Sequence, residues 1–123
     1  MEVRAVARYL PISSQKVRLV LNEVRGKPAD DALETLFHMP QKGAPMVSKV
    51  INSAIHNATQ NYGLERDRLY VAKIYADEGP TRRWRKFGAR GRFKPWLRRS
   101  SHVTVILDEL EEFEPLPGEE DEE

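Results

Sequence analysis

The chain has 123 residues, enough for one domain with a modest core but not for two. It has no cysteine, which excludes a disulfide framework and a thiolate metal site; no apolar run approaches the roughly 18 residues of a membrane span, and Met1-Glu2-Val3-Arg4 opens no signal-peptide core, so a soluble cytoplasmic protein is expected. The formal net charge of +1 conceals a division: 10 of the 19 acidic residues lie at 108–123, where there is no lysine or arginine, whereas residues 1–107 hold 20 basic against 9 acidic residues, or +11. Such a body is steered toward polyanions, with salt-dependent binding.

Residues 3–10 are rich in β-formers, with Val3, Ala5, Ala7 and Tyr9 alternating against Arg4, Val6 and Arg8, which predicts a half-buried strand. Pro11 ends it. Ser13 or Ser14 then caps a helix whose apolar positions Val17, Val20, Leu21 and Val24 recur at helical spacing, and Gly26 stops that helix. Lys16, Arg18 and Arg25 lie off the stripe, with Lys27 just beyond the helix end; on the residues alone they are an ordinary solvated face. Pro28 opens a second helix, with Asp30, Asp31 and Glu34 near the positive end of its dipole and Ala29, Ala32, Leu33, Leu36 and Phe37 toward the core. After a turn at 40–45, residues 46–62 form the longest helix, striped by Val47, Val50, Ile51, Ala54, Ile55 and Ala58. Its other rows are polar, with Asn52, His56 and Gln60 beside Ser53, Asn57 and Asn61.

Residues 69–76 are apolar on both parities: Leu69, Val71 and Tyr75 alternate with Tyr70, Ala72, Ile74 and Ala76. That predicts a central strand, with 102–107 antiparallel beside it and the first strand as the third. The expected fold class is α+β, three helices packed on a small three-stranded antiparallel sheet, with a long extended β-hairpin projecting from two of the strands.

That hairpin is the unusual part. Residues 79–107 contain no acid but nine cations, Arg82, Arg83, Arg85, Lys86, Arg90, Arg92, Lys94, Arg98 and Arg99, and no core can bury them. Extended from Asp77 to its tip, the arm would reach on the order of 40 Å. Pairing Tyr75 near Val105 puts the tip close to Arg90, where Gly88 and Gly91 can supply positive φ; Pro95 on the returning arm implies an edge or a bulge. Trp84, Phe87, Phe93 and Trp96 lie among the cations, the mixture expected where guanidinium forks meet phosphates and flat rings stack on bases or sugars. RNA is the leading partner. A disordered basic loop is the plainer alternative, and the four large aromatics and flanking strands speak against it. The chain thus divides into a globular body at 1–78 and 101–110, a basic hairpin at 79–100 and a Pro-interrupted acidic tail at 111–123, expected to be disordered.

Catalysis has little to stand on. His38, His56 and His102 are scattered without metal-ligand spacing, and no nucleotide-binding or nucleophile motif occurs; His56 and His102 as an acid–base pair for RNA cleavage is the weaker alternative to structural histidines. No enzyme activity, metal or cofactor is expected. Gly88-Ala89-Arg90-Gly91 fits the GXXG pattern of KH domains, but it lies between strands rather than helices.

The residues also resemble a known family, large-subunit ribosomal protein number twenty-two of the bacterial L series, over about residues 2–108. The carriers are Ser13 with Lys16-Val17-Arg18 and Arg25-Gly26-Lys27, Ser53-Ala54-Ile55-His56-Asn57-Ala58, Asp77-Glu78-Gly79-Pro80, Ala89-Arg90-Gly91-Arg92 and Ser101-His102-Val103-Thr104. The resemblance implies a structural protein that binds large-subunit ribosomal RNA during assembly, with its hairpin lining the peptide exit tunnel. It turns Lys16, Arg18, Arg25 and Lys27 into expected RNA contacts, beside Arg82, Arg83, Trp84, Arg85, Lys86, Arg90, Arg92, Lys94, Trp96, Arg98, Arg99 and His102. It places Gly88, Ala89, Arg90, Gly91 and Arg92 at the tunnel, near the nascent peptide. Neighbouring large-subunit proteins are implied partners, and neither a membrane nor a homo-oligomer is expected. The chain departs from the family pattern at Phe87, Gly88 and Phe93, where Pro, Arg and Ala are common. The rival is a free-standing basic architectural protein that wedges Trp or Phe between DNA base steps.

Overall fold

The computed structural model describes residues 2–87 and 93–110, and at 83–87 and 93–96 the backbone alone. The hairpin tip at 88–92 and the acidic tail at 111–123, with the turn and the disorder expected there, lie outside the described residues. In chain order the elements are β1 (Val3–Leu10), α1 (Ser14–Val24), α2 (Ala29–His38), α3 (Gly43–Asn61), a single 3-10 turn (Arg66–Arg68), β2 (Leu69–Glu78), β3 (Arg82–Phe87), β4 (Phe93–Arg98) and β5 (Ser101–Glu109). The α+β class holds: an antiparallel sheet of order β1-β5-β2 carries the helices, and β3 and β4 form a separate two-stranded ribbon.

The sheet corrects the expected strand order, because β5 and not the 69–76 strand is central. The apolar residues on both parities of β2 have another cause. Val71 pairs Leu107 and Lys73 pairs Ile106, so Ala72 is an extra residue in a bulge. The bulge reverses the side-chain parity, and Leu69 and Val71 before it and Ile74 and Ala76 after it all reach the core. Burial on both faces belongs to β5, where Val103, Val105 and Leu107 face the helices and Thr104 is also buried.

A second irregularity lies in β1. Its pairing with β5 shifts between Ala7 and Leu10, and Tyr9 there adopts φ +59°, a conformation non-glycine residues rarely take. Tyr9, expected on the side of Val3, Ala5 and Ala7, is therefore turned out and is 65% exposed.

Ser13 caps α1, its hydroxyl accepting from the Lys16 amide at 3.4 Å, and Gly26 follows that helix at φ +81°. In α2 the apolar stripe holds except at Phe37, which is 84% exposed rather than in the core. The expected stripe of α3 is wholly buried, although the helix begins at Gly43, before the expected Met46. Pro45 fits within that first turn, where amides have no intrahelical acceptor. A side chain at Gly43 would meet Ile12 Cδ1 at 3.0 Å, so glycine lets α3 start tightly against the entry to α1. Among the described residues the buried hydrophobic core lies at 3–76 and 103–107.

Candidate nucleic-acid interface

The ribbon begins at a built neck. The Gly79 amide donates to the Ser100 carbonyl at 2.9 Å, and the Ser100 hydroxyl donates to the Pro80 carbonyl at 2.7 Å. Proline has no amide to continue the ladder, so the sheet stops there and the ribbon restarts at Arg82. A Cβ on Gly79 would collide with Ser100 Oγ and approach His102 Cε1 to 3.3 Å. His102 is fixed from its other side as well: its Nδ1 accepts the Tyr9 amide at 3.0 Å, and the two rings meet edge-on at 4.8 Å. A backbone amide can only donate, so Nδ1 is the acceptor in this pair and the ring is held at the ribbon root. The outward turn of Tyr9 thus serves to clamp the ribbon root.

From Arg82↔Arg98 to Phe87↔Phe93 the β3–β4 register is symmetric about position 90, as expected for the tip. It sets Arg82 opposite Arg98 and Lys86 opposite Lys94, and Trp84 opposite Trp96. Like charges directly across an antiparallel pair are destabilising, so this ribbon is suited to company that neutralises it. Arg83, Arg85 and Lys94 lie on the same two strands; Arg90 and Arg92, with Gly88, Ala89 and Gly91, fall outside the described residues.

At the ribbon root lies an open groove of about 1010 Å³, walled by the start of α1, the loop before α3 and the neck. It gathers Lys16, Arg98 and Arg99 from separate parts of the chain, and Lys42 with them. Among the described residues Glu78 is the one acid on its lining, and α1 points its N-terminus this way with no acid in its first turn, so the helix dipole adds to the positive potential. Lys42 was missed from sequence because it is one cation in a six-residue turn; only the packing of α3 on α1 brings it to the groove.

The other expected contacts are placed differently. Arg18 donates through Nη2 and Nε to the Ala76 carbonyl at 2.8 and 3.3 Å, and Arg25 donates to the Ile74 carbonyl at 2.9 Å and to Asn22 at 2.6 Å. Gly26 and Lys27 exchange backbone hydrogen bonds with Val71 at 3.0 and 2.9 Å. Loop and guanidinia together close the outer edge of β2, which would otherwise offer its unpaired carbonyls to another strand. Lys27 Nζ donates to Thr35 at 3.1 Å, in a shallow hollow shared with Asp31, Glu34 and His38, an acidic setting unlike the groove. His56 is exposed on α3, on a different element from His102.

On the sheet face away from the helices, Arg4 Nη2 donates to the Tyr75 hydroxyl at 3.3 Å. That bond, aided by Thr104, holds the Tyr75 phenol below its usual range. Among the described residues no group of histidines and carboxylates could hold a metal ion, and no helix is long and apolar enough to cross a membrane.

A small helix-backed sheet with a cationic groove and a charged, aromatic-bearing arm defines a nucleic-acid-binding α+β protein. Residues 5–108 match the family described as ribosomal protein L22p/L17e, and the chain belongs to that family. Among its relatives, each named large ribosomal subunit protein uL22, that of Thermomicrobium roseum is 54% identical over 91% of this chain and 95% of its own length. The protein of Thermoanaerobacter sp. strain X514 is 50% identical over 90% of this chain and all of its own; that of Finegoldia magna is 46% identical over 90% and 99%. The resemblance drawn from the motifs therefore stands, and the tail beyond residue 108 lies outside the matched region.

Proposed function

We propose that the chain is a structural constituent of the large ribosomal subunit, in the cytoplasm, and that it binds large-subunit ribosomal RNA during assembly. Family membership supports this over a free-standing architectural protein. The observation that carries the physical reading is the ribbon, with six cations on β3 and β4 and like charges set opposite one another across it.

The groove at the ribbon root docks on phosphates through Lys16, Lys42, Arg98 and Arg99, and the ribbon threads between RNA segments. Its cations neutralise backbone charge while Trp84 and Trp96 stack on bases or sugars. Arg18 and Arg25 hold the β2 edge, and each guanidinium has five N–H donors, more than those bonds use, so RNA contact remains compatible with that duty. By the same family reading the arm lines the peptide exit tunnel, its residues 88–92 face the nascent chain, and neighbouring large-subunit proteins flank the body. The role is to position RNA, with no catalytic step.

Sedimentation of lysate tests this. The protein should travel with the large subunit in moderate salt; recovery with DNA or in the unbound pool contradicts the proposal.

A further inference from the structure

The part of the chain that the family match leaves out is also its most acidic. Glu111, Glu112 and Glu114 precede Pro115, Pro117 and Gly118, and then Glu119, Glu120, Asp121, Glu122 and Glu123 form an unbroken block. The body fixes where this segment departs. Leu110 donates its amide to the Arg68 carbonyl at 2.9 Å, Arg68 accompanies it by binding the Leu110 carbonyl and pairing with Glu109 at 2.9 Å, and the chain leaves from the end of β5 opposite the ribbon.

The groove lies at the other end, beside Ser100. Between them runs β5, whose nine residues span roughly 26 Å at about 3.3 Å per step. The nine steps from Leu110 to Glu119 cover roughly 28 Å at about 3.1 Å per residue if the two prolines and the like charges keep them extended. The five-acid block is thus set at the distance of the groove. Charge complementarity selects the groove over the open sheet face. The groove lining holds four cations, Lys16, Lys42, Arg98 and Arg99, against Glu78, whereas along the open sheet Arg4, Lys73 and the exposed Arg8 of β1 are set against both Asp77 and Asp108, a smaller cationic excess.

We propose that residues 119–123 occupy the cationic groove at the ribbon root whenever RNA is absent, so that the tail acts as a built-in anionic competitor which RNA must displace. This rests on the groove's being part of the RNA interface. A tethered ligand binds at the high effective concentration its linker sets, and the contact weakens with salt because its partners are exposed.

Two measurements on the full chain decide it. Zero-length carbodiimide coupling at low salt, read by mass spectrometry, should join tail carboxylates to Lys16 and Lys42, independently of protein concentration. The couplings should fade in high salt or on adding a single-stranded RNA oligonucleotide. Lys49, exposed on α3, and Lys73 serve as controls; coupling spread equally to them, or none at Lys16 and Lys42, overturns the proposal. Second, the full chain with Glu119→Gln, Glu120→Gln, Asp121→Asn, Glu122→Gln and Glu123→Gln should bind the oligonucleotide severalfold tighter at low salt, with the gain lost at high salt. Equal affinity at low salt overturns the proposal. Failure of both proteins to bind RNA would sink the function above, while the coupling pattern would still report on the docking.

Discussion

Not every cation on a basic surface does the same work, and Lys16 and Arg18, two residues apart, show the division. Lys16 faces the groove. Arg18 closes the β2 edge through the Ala76 carbonyl, and removing it strands an acceptor that is only partly wetted. Arg18→Ala is expected to cost about 1 kcal/mol of stability, the scale of a partly exposed charge-assisted hydrogen bond. Lys16→Ala should stay within about 0.5 kcal/mol of the parent, as exposed substitutions do, while weakening RNA binding. Chemical denaturation and RNA titration of both variants check the pair; an unchanged midpoint for Arg18→Ala would show the staple to be incidental. Nothing in the spacing of positions 16, 18, 25 and 27 could have separated these duties, because the difference lies in which face of α1 meets a strand some 50 residues later.

At the level of elements, the helices were legible because their apolar stripes repeat at 3.6 residues, and all six stripe positions of α3 are buried. The strand order was misread for a physical reason. A bulge at Ala72 puts two phases of alternation end to end, and in the sequence that resembles a strand buried on both sides. The ribbon register was legible because a hairpin is fixed by its midpoint; the body strands that lead into it are one residue off, Tyr75 pairing Thr104 instead of Val105. Phe37 was misplaced in the core because it continues the spacing of Ala29 and Leu33, yet it lies in the last turn of α2 and is exposed. Among the described residues β3 and β4 pack chiefly on each other, which supports treating the ribbon as separable. Replacing residues 82–98 with a short Gly-Ser turn should therefore leave the body's thermal midpoint within a few degrees, consistent with losing no core contact, yet strip most of the RNA affinity. Unfolding of the body on that replacement would refute the division.

Across the whole molecule, net charge is a poor guide to what the protein binds. A sum of +1 would suggest near indifference to salt, but counterion release depends on how many phosphates are neutralised at the interface. If the groove and ribbon together neutralise roughly eight, the logarithm of the RNA association constant should fall with the logarithm of salt at a slope of about −6 to −7, at about 0.7 to 0.9 per phosphate. A slope near zero would falsify phosphate contact as the main source of affinity. The acidic block sharpens this expectation. Where it already occupies the groove, RNA exchanges with carboxylates as well as with mobile ions, so fewer ions are released. The chain neutralised at 119–123 should then show the steeper slope of the two, the lines converging at high salt where the tail has already let go.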